Sequence, residues 1–257
     1  MDANVPISFD NTENAFAYKT DKELKKAKFL FSSMGYPLLV RWGTRITPWV
    51  LKAGLPVKGL IRHTIFEQFV GGETLEETAQ AAQQLGNYNV HVILDYGVEG
   101  GEKGEAAFDH SMQEFLKVID YASTRPNIPF ISIKVTGFAR YGLLEKLDAS
   151  VADHGGALMK RYSKAVASLS DEERTEWQNV QQRMEKICST AAGKGVGVLV
   201  DAEETWIQDP VDVITILMME RFNVPNVVVY NTIQMYRRDR LAFLKDTLEA
   251  AELRGFM

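Results

Sequence analysis

The chain has 257 residues, of which 46% are hydrophobic and 25% charged, and its formal net charge is −5. This composition is typical of a globular protein and excludes the disordered and fibrous classes. The single cysteine, Cys188, excludes an intrachain disulfide, and the four histidines lack metal-ligand spacing, so no metal site is predicted. Neither an apolar leader nor a run of about 18 uncharged apolar residues is present, which predicts a cytoplasmic protein.

Residues 1–66 predict a helical N-terminal arm with a strongly basic stretch. No acidic residue lies between Leu24 and Phe66, whereas eight lysines and arginines do, interleaved with Trp, Phe, Leu, Ile and Val. This pattern fits an amphipathic arm that touches anionic lipid, and it fits equally a packed surface helix with solvated lysines. The acidic charge of the whole chain argues against a nucleic-acid partner.

Residues 67–257 alternate between short Val- and Ile-rich runs and helical segments. The apolar runs predict five strands, a short one near 68–71 and four more at 89–96, 129–136, 195–201 and 226–233. Helix starts are predicted by capping boxes at Thr74 and Ser170, each with a glutamate three residues later, and by Asp209 followed by Pro210.

This alternation predicts an α/β protein, either a doubly wound sheet or a (βα)8 TIM-type barrel. The glycine fingerprint of dinucleotide-binding wound sheets is missing, whereas polar side chains follow several strands, which favours the barrel. A complete barrel takes about 250 residues, so only the first five βα units are expected in residues 67–257. We therefore expect this sequence to be a fragment whose second part is a partial barrel catalytic domain.

Candidate catalytic residues lie at the predicted strand ends. They are Lys134, Asp201 with Glu203 and Glu204, Asp95 with Glu99, and Gln234. One enzyme hypothesis is an aldolase in which Lys134 forms a Schiff base while Asp201 or Glu203 moves protons. The other is a cofactor enzyme in which Lys134 and Asp201 position the substrate and a bound ring does redox chemistry, with Gln234 suited to the edge of such a ring.

Six strings in order resemble the proline dehydrogenase family, in its monofunctional form. They are FDNTENAFAYKT at 9–20, QFVGGET at 68–74, ILDYGVE at 93–99, ISIKVTGFARYGLLEKL at 131–147, VLVDAEETW at 198–206 and NTIQMYRRD at 231–239. The resemblance implies an FAD-dependent barrel that oxidises L-proline to Δ1-pyrroline-5-carboxylate and passes the electrons to a membrane quinone. It also fits peripheral contact of the basic arm with the inner face of the membrane.

The resemblance also assigns roles to individual residues. Lys134 matches the lysine that contacts the substrate carboxylate, Asp201 the aspartate that organises substrate- and flavin-binding groups, and Glu99 the glutamate of an ion-pair gate. Ala202 matches the position whose main chain approaches the flavin, and Gln234 the glutamine that bonds the isoalloxazine edge. The carboxylate-clamping arginines and the remaining flavin contacts are expected beyond this sequence, which leaves a non-catalytic half-barrel interaction protein as the alternative.

Overall fold

The structure is a computed structural model that describes residues 9–54, 56–97, 104–152 and 158–257. The chain divides into two units, residues 1–91 and residues 92–257, and each is described by itself. The predicted domain division between residues 66 and 67 stays a prediction. Over the described ranges, no helix is both long enough and apolar enough to cross a membrane.

The first unit is helical over its described residues. It contains α1 (Thr12–Phe16), α2 (Asp21–Met34), α3 (Pro37–Lys52), α4 (Lys58–Ile61), a π-helical turn (Arg62–Phe66), α5 (Glu67–Phe69) and α6 (Leu75–Gly86). Thr20 and Glu23 form a capping box at the start of α2. Thr74 caps α6 as predicted, but the Glu77 carboxylate accepts the N–H of Glu73, so the predicted reciprocal bond is replaced.

The strand predicted near 68–71 is wrong. Residues 67–69 are helical, and Phe69 and Val70 are exposed. The run QFVG at 68–71 is too short to distinguish a helix from a strand, and here it lies at the end of the helical stretch that begins at Lys58.

The second unit contains a parallel four-stranded sheet in the order β1 (Ile93–Asp95), β2 (Phe130–Ile133), β3 (Gly197–Val200) and β4 (Val229–Asn231). Ile131 pairs with Val198 and Val200 pairs with Asn231, so the strand ends are in register. Each strand lies inside a predicted run. The α/β class is therefore confirmed, with four strands in the described residues in place of the predicted five.

Helices connect and follow these strands. They are α7 (Glu105–Ala122), a 3-10 turn (Val135–Gly137), α8 (Tyr141–Ala152), α9 (Leu158–Ala167), α10 (Asp171–Lys194), α11 (Gln208–Phe222) and α12 (Arg240–Arg254). Ser170 and Glu173 form the predicted capping box of α10, and Gly195 ends that helix at a φ of 67°, which favours glycine. Trp177, Val180 and Met184 are buried and form the core face of α10.

The predicted start of α11 is wrong. The helix begins at Gln208, so Asp209 lies inside it and Pro210 is not its first residue. Asp148 of α8 accepts the main-chain N–H of Asp209 at 2.9 Å. The sequence predicted that Asp209 caps this helix. Instead, a carboxylate from another helix accepts the N–H of Asp209 in the first turn of α11.

Candidate active site

A cavity of about 600 Å³ lies where the carboxyl ends of β2, β3 and β4 meet. Parallel strands bring the residues that follow them to one edge of the sheet, which is where active sites of barrel enzymes are built. The cavity is lined by Lys134, Thr136, Tyr141, Ala202, Glu203, Glu204, Thr205, Trp206, Gln234 and Tyr236. The structure therefore brings together five of the candidate site residues, Lys134, Ala202, Glu203, Glu204 and Gln234.

Lys134 follows β2, whose Ile131 and Ile133 are fully buried. Its backbone is still extended, and the 3-10 turn begins at the next residue, so Lys134 sits where the chain leaves the sheet. Its half-buried side chain lies close enough to Glu203 for its positive charge to lower the pKa of that carboxyl group. The cavity therefore combines a cation with a nearby acid.

Asp201 is not among the residues that line the cavity, and its role stays a prediction. Its carboxylate accepts a hydrogen bond from the Ser132 hydroxyl at 2.8 Å, and its N–H donates to the carbonyl of Ile133 at 2.9 Å. Ser132 lies within β2, so Asp201 links the end of β3 to the neighbouring strand. In this structure its contacts are those of a residue that holds two strand ends together.

Gln234 presents an acceptor without a partner. Its amide nitrogen donates to the carbonyl oxygen of Glu203 at 3.1 Å, whereas its Oε1 atom is buried and has no hydrogen-bond partner among the described residues. A buried polar atom left unpaired costs free energy unless a ligand satisfies it. The side chain is thus suited to accept a hydrogen bond from the N–H of a bound ring.

Glu203 is the residue whose surroundings the sequence did not reveal. Its carboxylate accepts hydrogen bonds from the N–H and the hydroxyl of Thr136, at 3.0 and 2.9 Å. Burial raises the pKa of the carboxyl group and the charge of Glu204 adds to the rise, while the Thr136 bonds and the charge of Lys134 oppose it. Glu203 faces the cavity from the strand end, as its place after the β3 run suggested.

Aromatic residues complete the lining, and sequence reasoning did not single them out. Trp206 donates its indole N–H to the hydroxyl of Tyr141, and both rings line the cavity with Tyr236. Trp206 and Tyr236 both lie in strings that carry the family resemblance, VLVDAEETW and NTIQMYRRD. Those strings were the signal that could have identified them.

Two further candidates were Glu99 and Asp95. Glu99 lies outside the described residues, so its gate role stays a prediction. Asp95 ends β1, is exposed and is absent from the cavity lining. Among the described residues, no group of three or more His, Cys, Asp or Glu side chains could hold a metal ion.

Comparisons with known proteins identify the family of the chain. The curated proteins similar to the chain include the carbapenem antibiotics biosynthesis protein CarD of Pectobacterium carotovorum subsp. carotovorum, which is 32% identical over 71% of this chain and 44% of its own length. Proline dehydrogenase 1 of Dictyostelium discoideum mitochondria is 27% identical over 80% of this chain and 40% of its own. Hydroxyproline dehydrogenase of Bos taurus is 27% identical over 97% of this chain and 60% of its own. The chain thus spans about half the length of these relatives.

The fold also has a solved counterpart. The crystal structure of proline utilization A from Bdellovibrio bacteriovorus, inactivated by N-propargylglycine, matches 95% of this chain and 23% of its own with a TM-score of 0.55 at 12% identity. At that identity the likeness concerns the fold alone. The sequence model of the proline dehydrogenase family matches residues 78–257. The chain therefore belongs to the proline dehydrogenase family and has its TIM-barrel-like α/β fold.

Proposed function

We propose that this chain takes part in the FAD-dependent oxidation of L-proline to Δ1-pyrroline-5-carboxylate. The observation that carries the proposal is the shared cavity of Lys134 and Gln234, which offers a cation and an unpartnered amide acceptor at the strand ends. Membership of the proline dehydrogenase family supports the same conclusion. Because the chain spans about half the length of its relatives, the activity of the whole protein is part of the proposal.

Lys134 would bind the carboxylate of proline. A lysine ammonium group is a compact cation with three donors, and pairing it with a carboxylate fixes one end of the substrate. The nearby Glu203 carboxylate, when ionised, favours the charged form of Lys134. The lysine would therefore stay a cation that orients the substrate, which distinguishes this proposal from a Schiff-base aldolase.

The residues around Gln234 fit a flavin. The Oε1 atom of Gln234 can accept a hydrogen bond from the N–H at the ring edge, and the main chain at Ala202 lines the same cavity. When bound, FAD supplies the oxidant for removing a hydride from the proline carbon beside the nitrogen, with loss of the nitrogen proton as the C=N bond forms. The contribution of these side chains is to hold that carbon against the ring and to limit the access of water.

Asp201 and Glu99 complete the proposed site. Through Ser132, Asp201 holds the ends of β2 and β3 at the spacing that Lys134 and Ala202 require. Glu99 is proposed as the acidic half of an ion-pair gate over the substrate, on the basis of the ILDYGVE string.

The test is an anaerobic visible spectrum of the purified native gene product that contains these 257 residues, before and after addition of L-proline. We expect proline to bleach the bound flavin. Lys134→Met is expected to raise the KM for proline at least tenfold while the Kd for FAD stays unchanged, because the lysine holds the substrate and not the ring. Lys186→Met, an exposed lysine of α10, is the matched control and should change neither constant.

Three results would contradict the proposal. Bleaching by hydroxyproline and not by proline would assign a different substrate. A borohydride-trapped adduct at Lys134 would favour the aldolase alternative. A chain that binds no flavin and does not respond to proline would favour the non-catalytic interaction protein.

We further propose that the electrons pass to a membrane quinone and that α3 contacts the membrane peripherally. Quinones with long apolar tails lie in the bilayer, so a protein that reduces them has to reach its surface. Along one face α3 carries Leu38, Trp42, Ile46 and Trp49, all of which are exposed. One edge of this apolar stripe carries Arg41, Arg45 and Lys52. An exposed apolar face with basic residues beside it is the pattern of a helix that lies in the headgroup region of anionic lipid.

Flotation with lipid vesicles tests the membrane contact. We expect the chain to float with vesicles that contain phosphatidylglycerol and to remain unbound with phosphatidylcholine alone. Replacing both Trp42 and Trp49 by serine should abolish flotation, whereas Leu253→Ser, an exposed apolar residue of α12, should not. Equal flotation of the double variant and the unchanged chain would exclude α3 as the contact.

A further inference from the structure

Every polar group of Glu203 is bound by a different part of the second unit. The carboxylate accepts the N–H and hydroxyl of Thr136, with Oε1 at 3.0 and 2.9 Å and Oε2 at 3.0 Å from the hydroxyl. The main-chain N–H donates to Oε1 of Gln208 at 2.7 Å. The main-chain carbonyl accepts from the amide of Gln234 at 3.1 Å. A half-buried acid with all its groups engaged is held in one place.

These bonds join three strand ends. Thr136 lies in the 3-10 turn two residues after Lys134, Glu203 follows β3, and Gln234 follows β4. We propose that Glu203 is a positioning residue that ties the three strand ends together and thereby sets the spacing between Lys134 and Gln234. The part of this inference that concerns substrate and flavin rests on the proposed function above.

The partner of the Glu203 N–H is itself anchored. Gln208 is 2% exposed, and its amide nitrogen donates to Asp212 at 2.9 Å. Asp212 also accepts from Asn231 at the end of β4 and from Arg240 of α12. Glu203 is thus connected to α11, β4 and α12 through buried hydrogen bonds. This hydrogen-bond network fixes the position of Glu203, because none of its side chains can move without losing a bond.

Glu204 provides a matched comparison. It is the next residue along the chain, it carries the same carboxylate and it also lines the cavity, but it is exposed. Replacing either acid by alanine removes one negative charge from the cavity lining, whereas of these two acids only Glu203 bonds Thr136 and Gln234. A comparison of variants at the two positions therefore distinguishes an effect of charge from an effect of geometry.

The first test is amide hydrogen exchange of the 257-residue chain without ligand. In Glu203→Ala we expect the Thr136 amide to exchange on the order of tenfold faster, because a bond to a charged acceptor is lost. Residues 233–236 should also exchange faster, because the Glu203 carbonyl that holds Gln234 shifts with the loop. Glu203→Gln keeps an acceptor oxygen and should behave like the unchanged chain, and Glu204→Ala should leave both segments unaffected.

Exchange at 233–236 that is unchanged in Glu203→Ala would overturn the proposal, because the carboxylate would then act only on its own neighbour. Far-UV circular dichroism checks that the variant is folded. Should Glu203→Ala not fold, Thr136→Val removes the hydroxyl donor alone and is compared in its place. The same faster exchange at 233–236 is then expected, and its absence would count against the connection.

The second test is a double-mutant cycle on the FAD affinity of the purified native gene product, with Glu203→Ala and Gln234→Ala. If Glu203 acts through the placement of Gln234, the double variant should lose little more affinity than Gln234→Ala alone. Loss factors that multiply would overturn the proposal. An unchanged chain that binds no FAD would overturn the proposed function, while the exchange experiment would still decide whether Glu203 connects the strand ends.

Discussion

Replacing Asp212 by alanine is expected to destabilise the second unit by about 4 kcal/mol. Asp212 is 1% exposed and accepts three hydrogen bonds, from Gln208 at 2.9 Å, Asn231 at 3.1 Å and Arg240 at 2.6 Å. Burial raises the pKa of its carboxyl group, and the three donors counter the rise. The residue is therefore a buried acid whose charge depends on three partners.

The magnitude follows from the side chains that lose the Asp212 carboxylate as their partner in the variant. Breaking a buried ion pair costs about 3 to 5 kcal/mol, and the low end applies because Arg240 keeps Asp239 as a partner. Leaving the amides of Gln208 and Asn231 without an acceptor adds about 1 kcal/mol. The sum of about 4 kcal/mol is a large part of the 5 to 15 kcal/mol that stabilises a typical domain.

Urea unfolding followed by circular dichroism measures this loss, with an unchanged m value as the check on a common unfolded state. Asp212→Asn keeps one acceptor oxygen and should lose about 2 kcal/mol. Glu252→Ala, an exposed carboxylate of α12, should change stability by no more than about 0.5 kcal/mol. A loss of less than about 1 kcal/mol in Asp212→Ala would refute the reasoning, since it would mean that water or rearrangement replaces the carboxylate.

Three further predictions concern packing and pH. Gly197→Ala should destabilise the sheet by about 1 to 3 kcal/mol in the same urea assay, because a Cβ there would lie 2.3 Å from the Phe130 ring. The control is Gly193→Ala, which has open space around it and should stabilise α10 by about 0.5 kcal/mol. Trp177→Phe should lower the free energy of unfolding by about 2 kcal/mol, because it removes a buried 2.6 Å hydrogen bond to the Tyr162 hydroxyl and part of a fully buried ring. An unchanged Tm on thermal unfolding would contradict this. Burial raises the pKa of Asp148 from 3.8 to about 6, so the folded state binds more protons than the unfolded one between these values. As pH rises from 4 to 6, the free energy of unfolding should therefore fall by about 1 kcal/mol, with solvent screening allowed for. Asp148→Asn keeps an acceptor for the Asp209 N–H and should remove most of this pH dependence, as measured by urea unfolding at each pH.

The elements of the second unit could be predicted because their signals are local. The Val- and Ile-rich runs contain β1 to β4, and Ser170 with Glu173 marks the start of α10. The shared cavity of Lys134, Ala202 and Gln234 was also predictable, because residues that follow parallel strands lie at one edge of a sheet. The short run at 68–71 was wrongly predicted because its two apolar side chains, Phe69 and Val70, do not distinguish a strand from a helix.

The amino-acid order by itself thus determined the α/β class, the strand runs and the family to which the chain belongs. Only the tertiary structure decided what the acids after β3 do. Asp201 bonds Ser132 and Glu203 bonds Thr136, across 69 and 67 residues of chain. Such partners are set by how the strands pair and how the helices pack. No local pattern encodes them, because a carboxylate carries the same sequence signal whether it binds substrate, caps a helix or holds two strands together.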